Sequence, residues 1–424
     1  MNRWTKFFNS SIGFVFLLTL LPIGLVAQDA DLTTEQETEN YIHERRAEFA
    51  ECVDHLQSES ASAGIPDTIV ENVVGNLNFL PRVIELDRAQ PEFSRTFGQY
   101  MSARVTARRV ATGREMFAKY RDYLTELTKE YGVPGQYLIA FWGLETNFGS
   151  YLGNTSTLDA LATLGCDPRR SKYFTGELLV ALSLLDEHSL DPESMKGSWA
   201  GAMGHTQFMP SNYARYALDG DQDGRVDLWN SERDALRSAA NFLNSLGWQP
   251  AERWGREVLL PSSFNYAEFG SGQERTLADW GQLGMKRVDG VNLPDLEMEA
   301  SILLPSGHRG PAFAVYSNFN VIMRWNRSEF YAISVGHLAD RIAGAGGLIV
   351  SPPDDSPPLS RALVTDVQLR LETLGHDPNG VDGLFGSGTR SALRNFQQEV
   401  GLIPDGFLDQ ETLDRLLTVT IQNN

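Results

Sequence analysis

The stretch Tyr131-Gly-Val-Pro134-Gly-Gln-Tyr-Leu138-Ile-Ala-Phe141-Trp142-Gly-Leu-Glu145-Thr-Asn-Phe-Gly149 carries a single charged side chain. Pro134 suits the first turn of a helix and Gly149 its end, so Glu145 closes an almost wholly apolar helix. Trp142, Phe141 and Leu138 stand three, four and seven positions before it and share its face. The carboxyl is therefore expected to emerge among aromatic and aliphatic groups, where desolvation favours the protonated form. An acid kept protonated in this way can protonate a leaving oxygen near neutral pH. Read alone, the same window also fits a solvated glutamate at a helix end.

Two further windows bear on that choice. Gly197-Ser198-Trp-Ala-Gly-Ala-Met-Gly-His-Thr-Gln207-Phe-Met-Pro-Ser-Asn mixes Gly, Met, aromatic, amide and hydroxyl groups, which suits a close-approach loop that stacks on and hydrogen-bonds to sugars. Arg324-Trp325-Asn326-Arg-Ser-Glu-Phe-Tyr331-Ala-Ile gathers a Trp, an Asn and a Tyr around one turn. Each is weak by itself, since Met and aromatic runs are usually core packing. In order and spacing the three windows resemble the B-type lytic murein transglycosylases, and the likeness covers most of residues 36–345.

The resemblance implies that Glu145 is the acid/base, with Ser198, Gln207, Trp325, Asn326 and Tyr331 around the scissile bond of a peptidoglycan strand. Trp325 stands where a tyrosine is common in that family; lacking the phenol hydroxyl, it is expected to change stacking or hydrogen bonding there. Glycoside hydrolases generally need a second carboxylate, and only Glu329 offers one in these blocks, on what reads as a helix surface. The family's chemistry resolves the shortage. Glu145 protonates the leaving oxygen, then takes the proton of the muramoyl C6 hydroxyl as that oxygen attacks C1, giving a 1,6-anhydromuramoyl end without water or cofactor. The competing readings are a hydrolysing muramidase and a non-catalytic wall-binding or scaffolding protein.

Asp219-Gly-Asp221-Gln-Asp223-Gly-Arg225-Val-Asp227 has the opening pattern of an EF-hand loop, with oxygens at positions 1, 3, 5 and 9 and glycine at 6. Position 12 is Asn230 instead of glutamate, which leaves Asp234 as the candidate for the remaining ligand, as in the resembling family. A structural Ca2+ is expected on Asp219, Asp221, Asp223, the Arg225 carbonyl, Asp227 and Asp234; the alternative is an acidic turn without metal.

Around this centre the chain reads as mainly α with a smaller β part. Residues 36–135 show helical periodicity, while short Val/Leu runs broken by Gly, Asp and Pro between Val258 and Pro305 suggest a small sheet. Four prolines in Ser351-Pro-Pro-Asp-Asp-Ser-Pro-Pro358 predict a stiff extended spacer. Beyond it a unit repeats: Asp382-Gly383 precedes Thr389 and Leu393 as Asp405-Gly406 precedes Thr412 and Leu416. Three helices with Asp-Gly turns follow from that pattern. The segment resembles the peptidoglycan-binding domains appended to wall hydrolases.

Arg3 and Lys6, the apolar run Ile12–Val26 and the loosely fitting Leu25-Val26-Ala27 read as a signal peptide, with an uncleaved anchor as the alternative. No cysteine lies near the cleavage point, so a soluble periplasmic protein is expected rather than a lipoprotein. Cys52 and Cys166 are either bridged or separately buried after export. A net charge of −19 excludes nucleic acid or an anionic membrane as main partner. The expected organisation is a leader over 1–27, a lysozyme-like helical catalytic domain with a small β-containing insertion over 28–350, a linker over 351–358 and a three-helix wall-binding domain over 359–420. Such a protein would act as a monomer on glycan strands, with wall-synthesis proteins as further partners.

Overall fold

The structure is a computed structural model that describes residues 23–89, 95–188, 190–266, 269, 273–357 and 359–419. Apart from 23–27, the expected leader lies outside them. A leading unit ends at Glu48 and holds the first part of the Ile23–Ser62 helix; the main unit runs from Phe49 onward.

The main unit is built around the Gly135–Thr146 helix, entered through Pro134 as its N-cap. An apolar helix with no polar face has to be surrounded. Leu138, Ile139, Ala140 and Phe141 are indeed fully buried, against Leu236 and Leu243 of the Glu232–Ser245 helix, Ile322 of Ser317–Trp325 and Ile333 and Leu338 of Glu329–Ile342. The helix ends in three successive left-handed residues, Asn147, Phe148 and Gly149, at φ 50°, 59° and 77°. Only glycine fits the third place, since a Cβ there would stand 2.2 Å from the His205 ring. This abrupt stop leaves Glu145, the penultimate helical residue, at the edge of the core.

A second core joins the Thr157–Gly165 and Ser171–Glu187 helices to Phe49, Val53 and Leu56. Here Cys52 and Cys166 form a disulfide with 5.9 Å between Cα atoms, which settles the choice left open by the sequence. The small sheet is antiparallel, in the order Arg275–Thr276, Glu299–Leu303, Ala312–Val315, Gly255–Leu259, Lys286–Arg287. It reaches past the expected Pro305, because the short apolar run Ala312–Val315 is buried throughout and reads equally as helix by pattern.

The C-terminal segment forms the three expected helices, Arg361–Thr373, Ser387–Glu399 and Gln410–Thr418, over a core of Leu371, Leu393, Phe396 and Leu416. A buried glutamine clamps each Asp-Gly turn. Gln368 Nε2 donates to Asp382 Oδ1, Leu384 O and Thr389 Oγ1, while its Oε1 accepts from Gly383 N. Gln397 makes the same set with Asp405, Phe407, Thr412 and Gly406.

The described residues of the spacer, 351–357, form neither helix nor strand, and they lie along the body and do not stand away from it. Glu257 accepts from the Ile349 and Val350 amides, and Arg309 pairs with Asp355 at 2.7 Å. The module is docked as well. Asp405 Oδ2 accepts from the His308 amide at 2.8 Å and meets its ring Nδ1 at 2.7 Å, and Arg390 faces Glu329 at 3.6 Å. Composition predicts stiffness in such a segment; the charges that hold it down lie elsewhere in the sequence.

Candidate active site

Glu145 is half-buried at the end of its helix. Its Oε1 accepts two hydrogen bonds, from Trp325 Nε1 at 2.9 Å and from the Tyr331 hydroxyl at 2.5 Å. Phe141, one turn back on the same face, packs on both donors, with ring centroids 4.4 Å from Trp325 and 6.3 Å from Tyr331. Tyr331 is buried, and that burial together with the neighbouring Glu145 charge holds its phenol well above its ordinary value, so it remains a donor. At Trp325, which lacks a phenol hydroxyl, the polar contact to the acid is made by the indole N–H. Trp142, expected on the face of Glu145, instead turns toward Tyr120, Phe148 and His205.

The other expected cleft residues shape the loops around the acid. Ser198 Oγ accepts from the amides of Ala200 and Ala202, closing the glycine-rich turn on itself. Gln207 adopts a left-handed φ of 52° and donates to Leu152 O and Gly204 O, tying this loop to the segment after the Glu145 helix. Asn326 is the C-cap of the Ser317–Trp325 helix. Of the five, Trp325 and Tyr331 donate hydrogen bonds to Glu145.

His205 was not singled out from the sequence, although it lies inside the quoted window. Its Nδ1 accepts from Trp142 Nε1 at 3.0 Å and its carbonyl from Thr146 Oγ1 at 2.9 Å, so it joins the second loop to the end of the Glu145 helix. Burial lowers the imidazole pKa, and the accepting Nδ1 requires the tautomer protonated on Nε2. The available signal was Gly149, whose missing side chain leaves room for that ring.

In the acidic loop, Asp219, Asp221 and Asp223 bring oxygens within 4.8 Å of one another. Asp219 accepts from Gly224 N and Gln222 N, and these bonds hold its carboxyl below the usual range. Asp227 accepts from Trp229 N and Asn230 N. Asp234 is buried and accepts from Gly220 N and Asp227 N, bracing the loop from within; desolvation raises its pKa. The structure therefore gathers three of the expected ligands and places Asp227 and Asp234 outside that group.

A helical body that presents one carboxyl at the end of a buried helix, held among aromatic side chains and joined to a small helical module, has the makings of a polysaccharide-cleaving enzyme with an appended binding domain. The chain belongs to the transglycosylase SLT domain family, whose model matches residues 48–340, and residues 360–416 match the putative peptidoglycan binding domain. It is 34% identical over 252 residues to membrane-bound lytic murein transglycosylase B of Escherichia coli (strain K12), covering 58% of this chain and 67% of that one. SltB3 from Pseudomonas aeruginosa, solved in complex with NAG-anhNAM-pentapeptide, superposes with a TM-score of 0.84 at 39% identity, covering 87% of this chain and 99% of that one. Escherichia coli Slt35 in complex with calcium gives 0.60 at 30% identity, over 69% of this chain and 92% of that one.

Proposed function

We propose that the chain cleaves the MurNAc-β-1,4-GlcNAc bond of peptidoglycan as a lytic transglycosylase, leaving 1,6-anhydromuramoyl ends, in cell-wall remodelling or recycling. The observation that carries this reading is the single carboxyl, Glu145, held by Trp325 and Tyr331 at the end of a buried helix. Glu329, the alternative carboxylate in the sequence blocks, faces Arg390 of the C-terminal module. That pairing favours intramolecular attack by the C6 hydroxyl over a water-using pair of carboxylates. Glu145 donates its proton to the leaving oxygen as the C1–O bond breaks, then accepts the C6 hydroxyl proton as the new bond to C1 forms. Ser198, Gln207 and Asn326 line the path of the glycan.

Mass analysis of fragments released from purified sacculi tests the reading: anhydro ends are lighter than hydrolytic ends by one water. Glu145→Gln should lose about four orders of magnitude in rate, the upper end for general acid–base catalysis, with an unchanged or slightly raised melting temperature. Hydrated ends, or activity kept in a folded Glu145→Gln protein, would overturn it.

The acidic loop is proposed to hold one structural Ca2+ through Asp219, Asp221 and Asp223 with the Arg225 carbonyl, while Asp227 and Asp234 fix the loop's shape. Calcium added to EDTA-treated protein should raise the melting temperature; no change at millimolar calcium removes the ion from the site. Export to the periplasm through the leader completes the proposal. Among the described residues no helix is long and apolar enough to cross a membrane.

A further inference from the structure

Trp325 invites a sugar-stacking role, yet its ring is already engaged. Phe141, Phe242 and Phe208, from three separate segments, stand 4.4, 5.2 and 5.5 Å from it between centroids. Its one polar atom points at Glu145 Oε1. An indole nitrogen carries a hydrogen and offers no acceptor, whereas a phenol can both donate and accept. Oε1 therefore presents a lone pair to each of Trp325 and Tyr331, and a proton placed on it would leave one of these two donors without its acceptor.

We propose that Trp325 is a positioning residue that keeps Oε1 as the accepting oxygen of Glu145, so that the transferable proton resides on Oε2. The inference rests on the acid/base reading of Glu145 given above. The Oε2 proton passes to the glycosidic oxygen as the C1–O bond breaks, and the C6 hydroxyl proton returns to Oε2 as the C6 oxygen bonds to C1. Throughout, the indole N–H strengthens its bond to Oε1 as negative charge develops on the carboxyl. Other titratable or charged groups face this site. Tyr331 lies on the Glu329–Ile342 helix, and Tyr100 and Arg104 of the Phe97–Arg104 helix act on its phenol.

Two measurements test this. In the full-length protein labelled with 15N at its tryptophans, one indole N–H signal should move as Glu145 titrates and should lose that response in Glu145→Gln. Trp325→Phe should lower kcat about ten- to hundredfold, the range for one hydrogen bond to a developing charge, with KM on a soluble glycan nearly unchanged. Because a neutral donor favours the carboxylate, its loss should also move the alkaline limb of the kcat profile to higher pH. No indole that follows Glu145, or a Trp325→Phe protein with raised KM and an unmoved limb, would overturn the proposal. If Trp325→Phe does not fold, the indole titration decides alone. An active Glu145→Gln would instead sink the underlying reaction, so the two failures are distinguishable.

Discussion

The catalytic body and the C-terminal module are both pinned by buried polar contacts, but over very different lengths of chain. In the body Glu145 meets Trp325 and Tyr331 across 180 and 186 residues, and the disulfide spans 114. In the module Gln368 reaches Asp382 across 14 residues and Gln397 reaches Asp405 across 8. A short loop is closed at small entropic cost and can be repeated as a unit; a long one needs an assembled core to bring its ends together. The body therefore stakes its chemistry on the whole fold, whereas the module can build each turn locally.

Removing the covalent link should break the comparison hardest. A cross-link closing a loop of this length is worth about 4–5 kcal/mol on the chain-entropy model. Cys52→Ser/Cys166→Ser should therefore lower the denaturant midpoint of the body sharply while leaving the module's own unfolding where it was. Equal loss in both regions, or a change below about 1 kcal/mol, would mean that the body does not depend on its long closures in this way.

The local side is sharpened by Gln368→Ala and Gln397→Ala. Each leaves several buried partners of its turn without their donor or acceptor, at about 2–3 kcal/mol. In a module of this size that is most of the available stability. The two should not be equal in the full chain. Asp405 keeps its bonds to His308, while Asp382 has Leu384 N to fall back on. Limited proteolysis should accordingly open the Gln368→Ala module more readily. Equal opening would show that docking adds nothing to the second turn.

The same difference in length governs what could be read from the sequence. The repeat of Asp-Gly, Thr and Leu was visible because each turn's partners recur at fixed spacing, although the glutamines that clamp them were not named. The Glu145 helix was visible because its apolar run and its Pro and Gly boundaries are local. Its partners were reached only by resemblance, and no spacing argument could show that Trp325 would turn its N–H onto the acid. His205 escaped for the same reason, as did the docked position of the spacer: Arg309 and Glu257, which hold it, belong to the sheet region.

The smallest expected effect concerns the seam between the two regions, where His308 meets Asp405. The bond to Asp405 raises the His308 pKa above its ordinary 6.5. Burial by itself would raise the Asp405 pKa, but the bonds from His308 and from the Phe407 amide carry it below 3.8. A raised histidine contributes fully below its ordinary pKa and loses that contribution as pH rises through the raised value. A depressed aspartate contributes above its ordinary pKa and fails as pH falls through the lowered one. Docking should therefore be tightest in mildly acidic solution and weaker at alkaline pH by roughly 1 kcal/mol, the difference between a charged and a neutral hydrogen bond. Asp409, Arg309 and Tyr266 also face His308, and Arg394 faces Asp405; histidine is the side-chain type among these whose ordinary range falls between pH 5.5 and 8.5. Hydrogen exchange at the Asp405-Gly406-Phe407 amides, corrected for its intrinsic pH dependence, should show less protection at pH 8.5 than at pH 5.5. His308→Ala should abolish the difference. Protection that is the same at both values would mean that the seam is held by the spacer and its apolar contacts, without help from this pair.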